Sequence, residues 1–357
     1  MPTTEHQVVK PEKLVATAVG VLEQELVLSR LIAREGVDQY KGAEDDTISY
    51  KVEGVLPHHS YAWRNDRSTG ITFDVYKERK IAVSFGGNTY SAVKLTDEQN
   101  DFDLDSWAKL LTPQAKAVAR GLEHKVLSTM TGATYNVVIG NAGQKIRSAV
   151  IEARRVLNKF HAPKGNRILL VGSEFEAAML EDPDLVIASN VGDSLAESAL
   201  RDAVIGRAGG FTIVMDESIP GDEAIAFADS AFFLATGAPS VPQSAPYGAT
   251  TSFEGFALRW VRDYDSEYMQ DRSVVNCYSG TRVVTDPLMY WDPTANGGNG
   301  AEVVTDAEYM VRAIKLTLDG ASNYPAASSE LAKATGISDA AVWTPTGAAA
   351  ETDPANA

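Results

Sequence analysis

Hydrophobic residues recur along this chain with two periods, one typical of helices and one typical of strands. Apolar residues three or four positions apart predict helices over residues 11–34, 113–130, 145–160, 174–180 and 195–204. Pro113 fits the first turn of a helix but not its interior, so the sequence predicts a restart or a kink at this residue.

Alternation of apolar and polar residues predicts the strands. They fall at 47–52, 71–75, 81–85, 167–171, 211–215, 225–228, 256–261, 273–278 and 280–284, with one more expected within 309–318. The first strands enclose a polar, aromatic tip at 57–70 and therefore predict a long hairpin. Because an isolated two-stranded ribbon is marginal in water, we expect the hairpin to lie on another surface, such as a second subunit.

Two stretches carry little periodicity. The Pro-, Ser- and Ala-containing residues 237–247 predict a linker, and the Ala-, Ser-, Thr- and Pro-rich residues 321–357 predict a peripheral or mobile tail.

Three glycines, Gly206, Gly209 and Gly210, lie between the predicted helix 195–204 and the predicted strand 211–215. A phosphate-binding glycine loop follows a strand and opens a helix, because the helix N-terminus supplies the N–H groups that hold the anion. Here the order is reversed. The pattern therefore favours a turn that ends a helix and starts a strand, where glycine permits a left-handed backbone.

Charge and composition narrow the classes of function. The 357 residues include 32 basic and 48 acidic side chains, and the net charge of −16 works against general nucleic-acid affinity. The single cysteine, Cys277, excludes an internal disulfide and a multi-cysteine metal site, and we expect a buried, inert thiol. We also expect a soluble chain with no membrane partner, because no secretory signal and no run of about 18 apolar residues occurs.

One acidic cluster only partly matches a metal site. Asp101, Asp103 and Asp105 alternate as in a calcium loop, but Ser106 and Thr112 stand where that loop needs glycine and glutamate. We interpret these carboxylates as a solvated cluster at a helix start.

No catalytic, cofactor-binding or metal-binding residue is predicted elsewhere. The acidic stretch 263–271 has no accompanying nucleophile or cofactor loop, so a polar strand connection is favoured over acid–base catalysis. His124 has no second ligand three or four residues away, and Cys277 has no nearby histidine.

The hairpin tip carries the candidate contact residues of the chain. Adjacent residues on an extended segment point to opposite sides, so His58 and His59 do not chelate one ion. Aromatic and arginine side chains are enriched at interface hot spots. We predict that the tip contacts another subunit through His58, His59, Tyr61, Trp63, Arg64 and Arg67.

The order of these elements resembles that of the major capsid proteins of tailed bacteriophages, which share the Hong Kong 97 fold. Residues 47–85 resemble the extended loop of that family, and residues 113–130 resemble its spine helix. Residues 146–173 and 205–220, with the glycine-rich turn before a strand, are similar to its axial domain, and 256–286 resemble the strands that close its peripheral domain. The loop-rich stretch 51–68 makes the coat proteins of short-tailed Salmonella-type phages the most similar members.

The resemblance implies an α+β capsid fold divided along the chain. Its expected parts are an N-terminal arm (1–46), an extended β-hairpin loop (47–92), a peripheral domain with the spine helix (93–145), an axial domain (146–250), returning peripheral strands (251–295) and a C-terminal extension (296–357).

The resemblance also implies a structural function without catalysis or cofactor. Copies are expected to assemble as hexamers and pentamers into an icosahedral shell that encloses double-stranded DNA without sequence-specific binding. Because no long charged segment precedes the arm, we expect a separate scaffolding protein, together with a portal and decoration proteins. Assembly is expected in the cytoplasm of the bacterial host, and the mature location is the virion.

Two other functions remain open. An encapsulin-type bacterial nanocompartment would share the implied fold and enclose an enzyme. A soluble α/β hydrolase or nucleotide-binding enzyme would place its site near Gly206, Gly210, Asp216 and Glu217, and it would require residues 211–215 to form a helix.

Overall fold

The fold consists of two compact units, each formed from separate stretches of the chain. A computed structural model describes residues 27–36, 47–52, 56–59, 70–71, 73–76, 79–102, 107–141, 145–182, 206–253, 256–295 and 300–339. Described residues within Met1–Val52, Arg79–Ala133 and Phe232–Val284 form the first unit, and those within Glu53–Glu78, Thr134–Ala231 and Thr285–Ala357 form the second.

Strands dominate the described residues. In chain order they are β1 (Ala33–Gly36), β2 (Thr47–Val52), β3 (Arg79–Ser84), β4 (Gly87–Thr96), β5 (Val138–Gly140), β6 (Arg167–Val171), β7 (Arg207–Ala208), β8 (Phe211–Met215), β9 (Glu223–Ala228), β10 (Phe232–Gly237), β11 (Tyr247–Phe253), β12 (Phe256–Asp265), β13 (Gln270–Val283), β14 (Met289–Asp292), β15 (Ala301–Val304) and β16 (Ala313–Thr317). The helices are α1 (Leu28–Leu31), α2 (Asp97–Phe102), α3 (Trp107–Thr131), α4 (Ile146–Lys159), α5 (Ser173–Glu181) and α6 (Glu330–Thr335).

The first unit contains a sheet centred on the long strand β13. The strand order is β1-β10-β13-β12-β11, and β4 pairs with β13 along its other edge. All pairs are antiparallel except that of β1 with β10. The sequence predicted two strands here, but Gly280 does not interrupt β13. A Cβ at residue 280 would lie 2.5 Å from the Ser84 carbonyl oxygen. Glycine, which has no Cβ, therefore allows the two backbones to approach closely here.

A buried polar network holds helix α3 on this sheet. The Gln114 amide donates to the carbonyl oxygens of Ser91 and Ser273, and the Ser273 hydroxyl donates to Gln114 Oε1. The Trp260 indole N–H donates to the same hydroxyl over 2.9 Å. Because all three side chains are buried, these bonds satisfy groups that would otherwise be costly to desolvate.

Helix α3 runs through Pro113, so of the two alternatives predicted at this residue, a restart or a kink, the restart is wrong. The helix begins at Trp107, with Pro113 inside it. An interior proline costs about 3 kcal/mol. Burial of Leu111, Val118 and Leu122 contributes about 1.5–3 kcal/mol for each side chain, which is enough to offset that cost.

The predicted helix 11–34 is also corrected where it is described; residues 11–26 lie outside the described part. Helix α1 covers four residues, and the chain then enters β1, because β10 offers a parallel ladder to residues 33–36. Glu123 of α3 accepts hydrogen bonds from the N–H groups of Leu28 and Ser29 over 2.9 and 3.1 Å. These bonds connect the start of α1 to α3.

The base of the predicted hairpin is present, with a different partner strand. β2 pairs antiparallel with β3, in a register that sets Val52 opposite Arg79. The described residues among 71–75 form no strand, so the strand predicted there is wrong. The ladder of β2 therefore forms with residues 79–84, further along the chain than expected.

The second unit contains a mixed sheet with a large apolar core. Its strand order is β5-β16-β9-β6-β8-β7, and β6 is buried at all five positions. β6 pairs parallel with β8 and antiparallel with β9, as expected of a strand covered on both faces. The core includes the fully buried side chains of Leu157, Phe160, Leu169, Phe175, Phe211 and Ile314.

The prediction of a peripheral tail is wrong for residues 321–339, whereas residues 340–357 lie outside the described part. Leu331 and Ile337 are buried in the core of the second unit. The Tyr324 hydroxyl donates to Glu152 of α4 over 3.1 Å. Composition misled the prediction because a few large apolar residues are enough to bury a stretch that is otherwise rich in alanine, serine and threonine.

Strand pairing assigns some segments to a different sheet from the one that the expected domain ranges imply. β10 and β11, within the range expected for the axial domain, pair with β13 and β12 in the first unit. β16, within the range expected for a C-terminal extension, lies inside the second sheet. The six domain ranges themselves stay predictions.

Candidate subunit-assembly surface

An apolar row is exposed on the loop between β2 and β3. Ile71, Phe73 and Val75 are 63%, 83% and 78% exposed, and Leu56 and Tyr76 are also exposed. These first three residues occupy alternate positions along the chain. Single exposed apolar residues are ordinary, whereas several on one short segment are typical of a surface that takes part in association.

His58 fixes the first limb of this loop to the hairpin of β14 and β15. Its Nδ1 lies 2.6 Å from Glu302 Oε2, and its backbone N–H donates to the same oxygen over 2.7 Å. The imidazole stacks on Trp291 with ring centroids 6.2 Å apart. The backbone N–H of His58 is the largest cause that holds the pKa of Glu302 below its usual value.

His59 joins the two limbs of the loop. Its Nε2 lies 2.7 Å from Asp74 Oδ2, on the segment that also carries the exposed apolar row. The two histidine rings thus have different partners, as expected for adjacent residues on an extended chain. The described partners of both lie within the same chain, and their predicted contact with another subunit stays a prediction. Tyr61, Trp63, Arg64 and Arg67 lie outside the described residues.

Sequence reasoning missed the importance of Phe73 and Val75. Their alternation was visible, but it was used to predict a strand rather than an exposed apolar row. They could have been identified from the sequence because these apolar residues stand among polar ones.

The glycine-rich stretch forms a turn before a strand, as predicted. Gly209 and Gly210 have φ angles of +58° and +88° and connect β7 to β8, with Ala208 opposite Phe211. The turn therefore joins two strands, which corrects the prediction that it ends a helix; residues 195–204 lie outside the described part. Arg154 Nη1 donates to the Gly209 carbonyl over 3.2 Å.

This turn is not a phosphate-binding loop. Residues 211–215 form strand β8, whereas the enzyme hypothesis required a helix there. That hypothesis is therefore wrong in its structural premise.

The acidic residues near the end of β12 and the start of β13 form ion pairs across the two strands. Arg272 binds Asp263 over 2.6 Å and Asp265 over 3.2 Å, and Arg262 binds Asp271 over 2.7 Å. The predicted polar strand connection is confirmed.

Cys277 is fully buried in β13, and burial raises the pKa of its thiol to about 12. The thiol is therefore protonated at neutral pH and unsuited to act as a nucleophile, as predicted.

Two further kinds of feature, a metal site and a membrane-spanning helix, are absent from the part of the chain that the structure describes. No group of three or more His, Cys, Asp or Glu side chains is placed to hold a metal ion there. Within the same residues, none of the helices has the length and apolar character needed to cross a membrane.

Comparison with known proteins identifies the family. A family model described as "Phage capsid protein" matches residues 88–287, which is more than half of the chain. No curated protein sequence matches it.

Solved structures of low sequence identity share the fold. A structure from Mycobacterium phage Che8 is 14% identical, covers 82% of this chain and 90% of that one, and has a TM-score of 0.53. The capsid of cyanophage P-SCSP1u is 10% identical over 82% and 87% of the two chains, with a TM-score of 0.54. The mature capsid of bacteriophage PhiM1 has the same identity and coverage and a TM-score of 0.52.

The fold is therefore the α+β Hong Kong 97 type of a capsid subunit. The chain belongs to the phage capsid protein family, as a major capsid protein with a structural role. The family match supports this function over the encapsulin hypothesis.

Proposed function

We propose that copies of this chain tile the icosahedral shell of a tailed phage around double-stranded DNA, and that the loop between β2 and β3 of one copy covers part of a neighbour. The observation that carries this proposal is the exposed row of Ile71, Phe73 and Val75. Burying one such side chain contributes about 1.5–3 kcal/mol. A subunit that leaves this surface in water gains that free energy only on assembly.

The intrachain contacts of the loop support the proposal. His58 holds the first limb on Glu302 and Trp291, and His59 holds the second limb through Asp74. A loop fixed at both limbs loses less conformational entropy when it binds. Many copies of one modest contact then add to a stable shell.

The remaining expectations follow from family membership. We propose that the axial domain lies within residues 146–231 and the peripheral domain within 93–133 and 232–284, because β10 and β11 pair with the sheet of the first unit. We also propose that the subunit performs no catalysis. A separate scaffolding protein, a portal and decoration proteins are the proposed partners, with assembly in the host cytoplasm. Uniform shells recovered from the coat gene expressed alone would contradict the need for a scaffold.

The test of the loop contact is Phe73→Ser, followed by electron microscopy of particles formed with the scaffolding protein present. Phe73 is largely exposed in the isolated chain, so the variant is expected to fold but to give at least about tenfold fewer shells, because an apolar contact is lost at every copy. Phe73→Leu keeps an apolar side chain and is expected to assemble normally.

Normal shell yield from Phe73→Ser would overturn the proposed loop contact. The same assay tests the predicted tip residue Trp63. Trp63→Ala is expected to lower particle yield or thermal stability, and no change in either would remove Trp63 from the interface.

A further inference from the structure

A small polar pocket lies in the first unit between α3, β13 and the end of β3. Its volume is about 300 Å³, at the lower limit of small-molecule sites. The side chains that line it are mostly hydroxyl-bearing or basic: Ser84, His124, Lys125, Ser128, Ser279 and Thr281. No carboxylate is among the lining residues, so the pocket has the chemistry of an anion site.

Lys125 is the charged group of this pocket. Its ammonium donates to the Ser279 hydroxyl oxygen over 2.7 Å, and among the described residues no carboxylate forms an ion pair with it. Partial burial lowers the pKa of Lys125 below its usual value. An ammonium has three N–H donors, so two remain for a ligand. A partly desolvated charge without a counter-charge favours binding of an anion.

The surrounding groups are placed to complete such a site. A serine hydroxyl that accepts from lysine still has its own proton to donate, so Ser279 can bind the same anion as Lys125. Ser128 and His124 line the pocket from α3. Gly87 leaves the space that the ammonium occupies, since a Cβ at this residue would lie 2.5 Å from Lys125 Nζ.

We propose that this pocket binds a phosphate group through the Lys125 ammonium and the hydroxyls of Ser128 and Ser279. An ammonium and two hydroxyl groups supply several donors, which suits a phosphate because each of its oxygens accepts hydrogen bonds. Inorganic phosphate and the phosphodiester of a nucleic acid present the same chemistry. The proposal concerns the isolated subunit and does not depend on the proposed loop contact.

The test is calorimetric titration of the unassembled full-length chain with sodium phosphate, at an ionic strength held constant with sodium chloride. Saturable binding is expected in the parent chain. Lys125→Gln keeps a donor for Ser279 but removes the charge, and it is expected to bind phosphate at least about tenfold more weakly. Lys109→Gln removes one charge from an exposed position of the same helix and is the matched control, expected to change affinity by less than about twofold.

A second variant tests the geometry without changing the charge. In Gly87→Ala the new methyl group would displace the Lys125 ammonium, so weaker phosphate binding is expected with all basic residues present. Circular dichroism checks that each variant folds.

A short DNA duplex, added as a competitor, distinguishes the two sources of phosphate. Displacement of phosphate by the duplex would assign the site to the nucleic-acid backbone, and lack of displacement would assign it to the free ion. Absence of saturable binding, or equal weakening in Lys125→Gln and Lys109→Gln, would overturn the proposal.

Discussion

Strand β6 and the loop segment 70–76 are both rich in apolar residues, yet those of β6 are buried and those of the loop are exposed. Ile168, Leu169 and Leu170 are buried, and their strand has a paired neighbour on each edge in the second sheet. Phe73 and Val75 remain largely in water, and the described residues around them form no strand. Hydrophobicity alone therefore does not tell whether a residue stabilises the subunit or its assembly.

The difference arises from available partners. β8 and β9 pair with both edges of strand β6, and the side chains of Leu169 and Val171 pack in the apolar core of the second unit. The loop segment has a polar fixing contact at Asp74 but no ladder within the described part of its own chain. Burial within the chain stabilises folding, whereas apolar surface left exposed is available for association.

The largest expected effect is on the buried side of this comparison. Leu170→Ala removes a fully buried side chain from β6 and is expected to lower the free energy of unfolding by about 2–5 kcal/mol. Urea unfolding of the unassembled chain measures it. Ile71→Ala is the matched control, expected to change that free energy by less than about 0.5 kcal/mol. Equal effects from the two variants would break the comparison.

A medium effect is expected in the C-terminal residues, which composition had assigned to a peripheral tail. Ser329 caps α6 by accepting a hydrogen bond from the Ala332 N–H over 3.1 Å. Ser329→Ala is expected to lower the free energy of unfolding by about 1 kcal/mol. Ser328→Ala, at an exposed neighbour, serves as the control in the same urea titration. No loss from Ser329→Ala would show that α6 is not part of the cooperative unit.

The smallest expected effect on folding belongs to the exposed side. Phe73→Ser is expected to change the free energy of unfolding of the unassembled chain by less than about 0.5 kcal/mol. The comparison becomes sharper if this variant also fails to assemble. A loss as large as that of Leu170→Ala would mean that Phe73 stabilises its own chain.

The strongly periodic elements could be predicted from the sequence. Helix α4 and strand β6 match their predicted ranges closely. The apolar stripe of α4 can be buried only by a helix, and the short apolar run of β6, with its β-branched residues, favours a buried strand. Strand β4 was not predicted, although Tyr90 and Lys94 alternate with less exposed residues along it. Both of its faces carry polar residues, and its conformation is determined by pairing with β13, which is distant in the sequence.

The candidate surface could be predicted only in part. The position of a contact loop followed from its length and composition, and the opposite directions of His58 and His59 followed from backbone geometry. Their partners could not be predicted, because Glu302 is 244 residues away from His58 and no local pattern connects them. The pocket around Lys125 was missed for the same reason, since Ser279 is 154 residues further along the chain.

Strand β16 imposes an order on folding while the chain is being synthesised. It lies between β5 and β9, and it is the strand that connects β5 to the rest of the sheet. At a ribosomal rate of about 5–20 residues per second, residues 138–140 wait on the order of ten seconds or more for residues 313–317 to emerge. A chain whose translation stops before β16 cannot complete this sheet. Such a chain also lacks the ladder that β16 provides for β5 and β9.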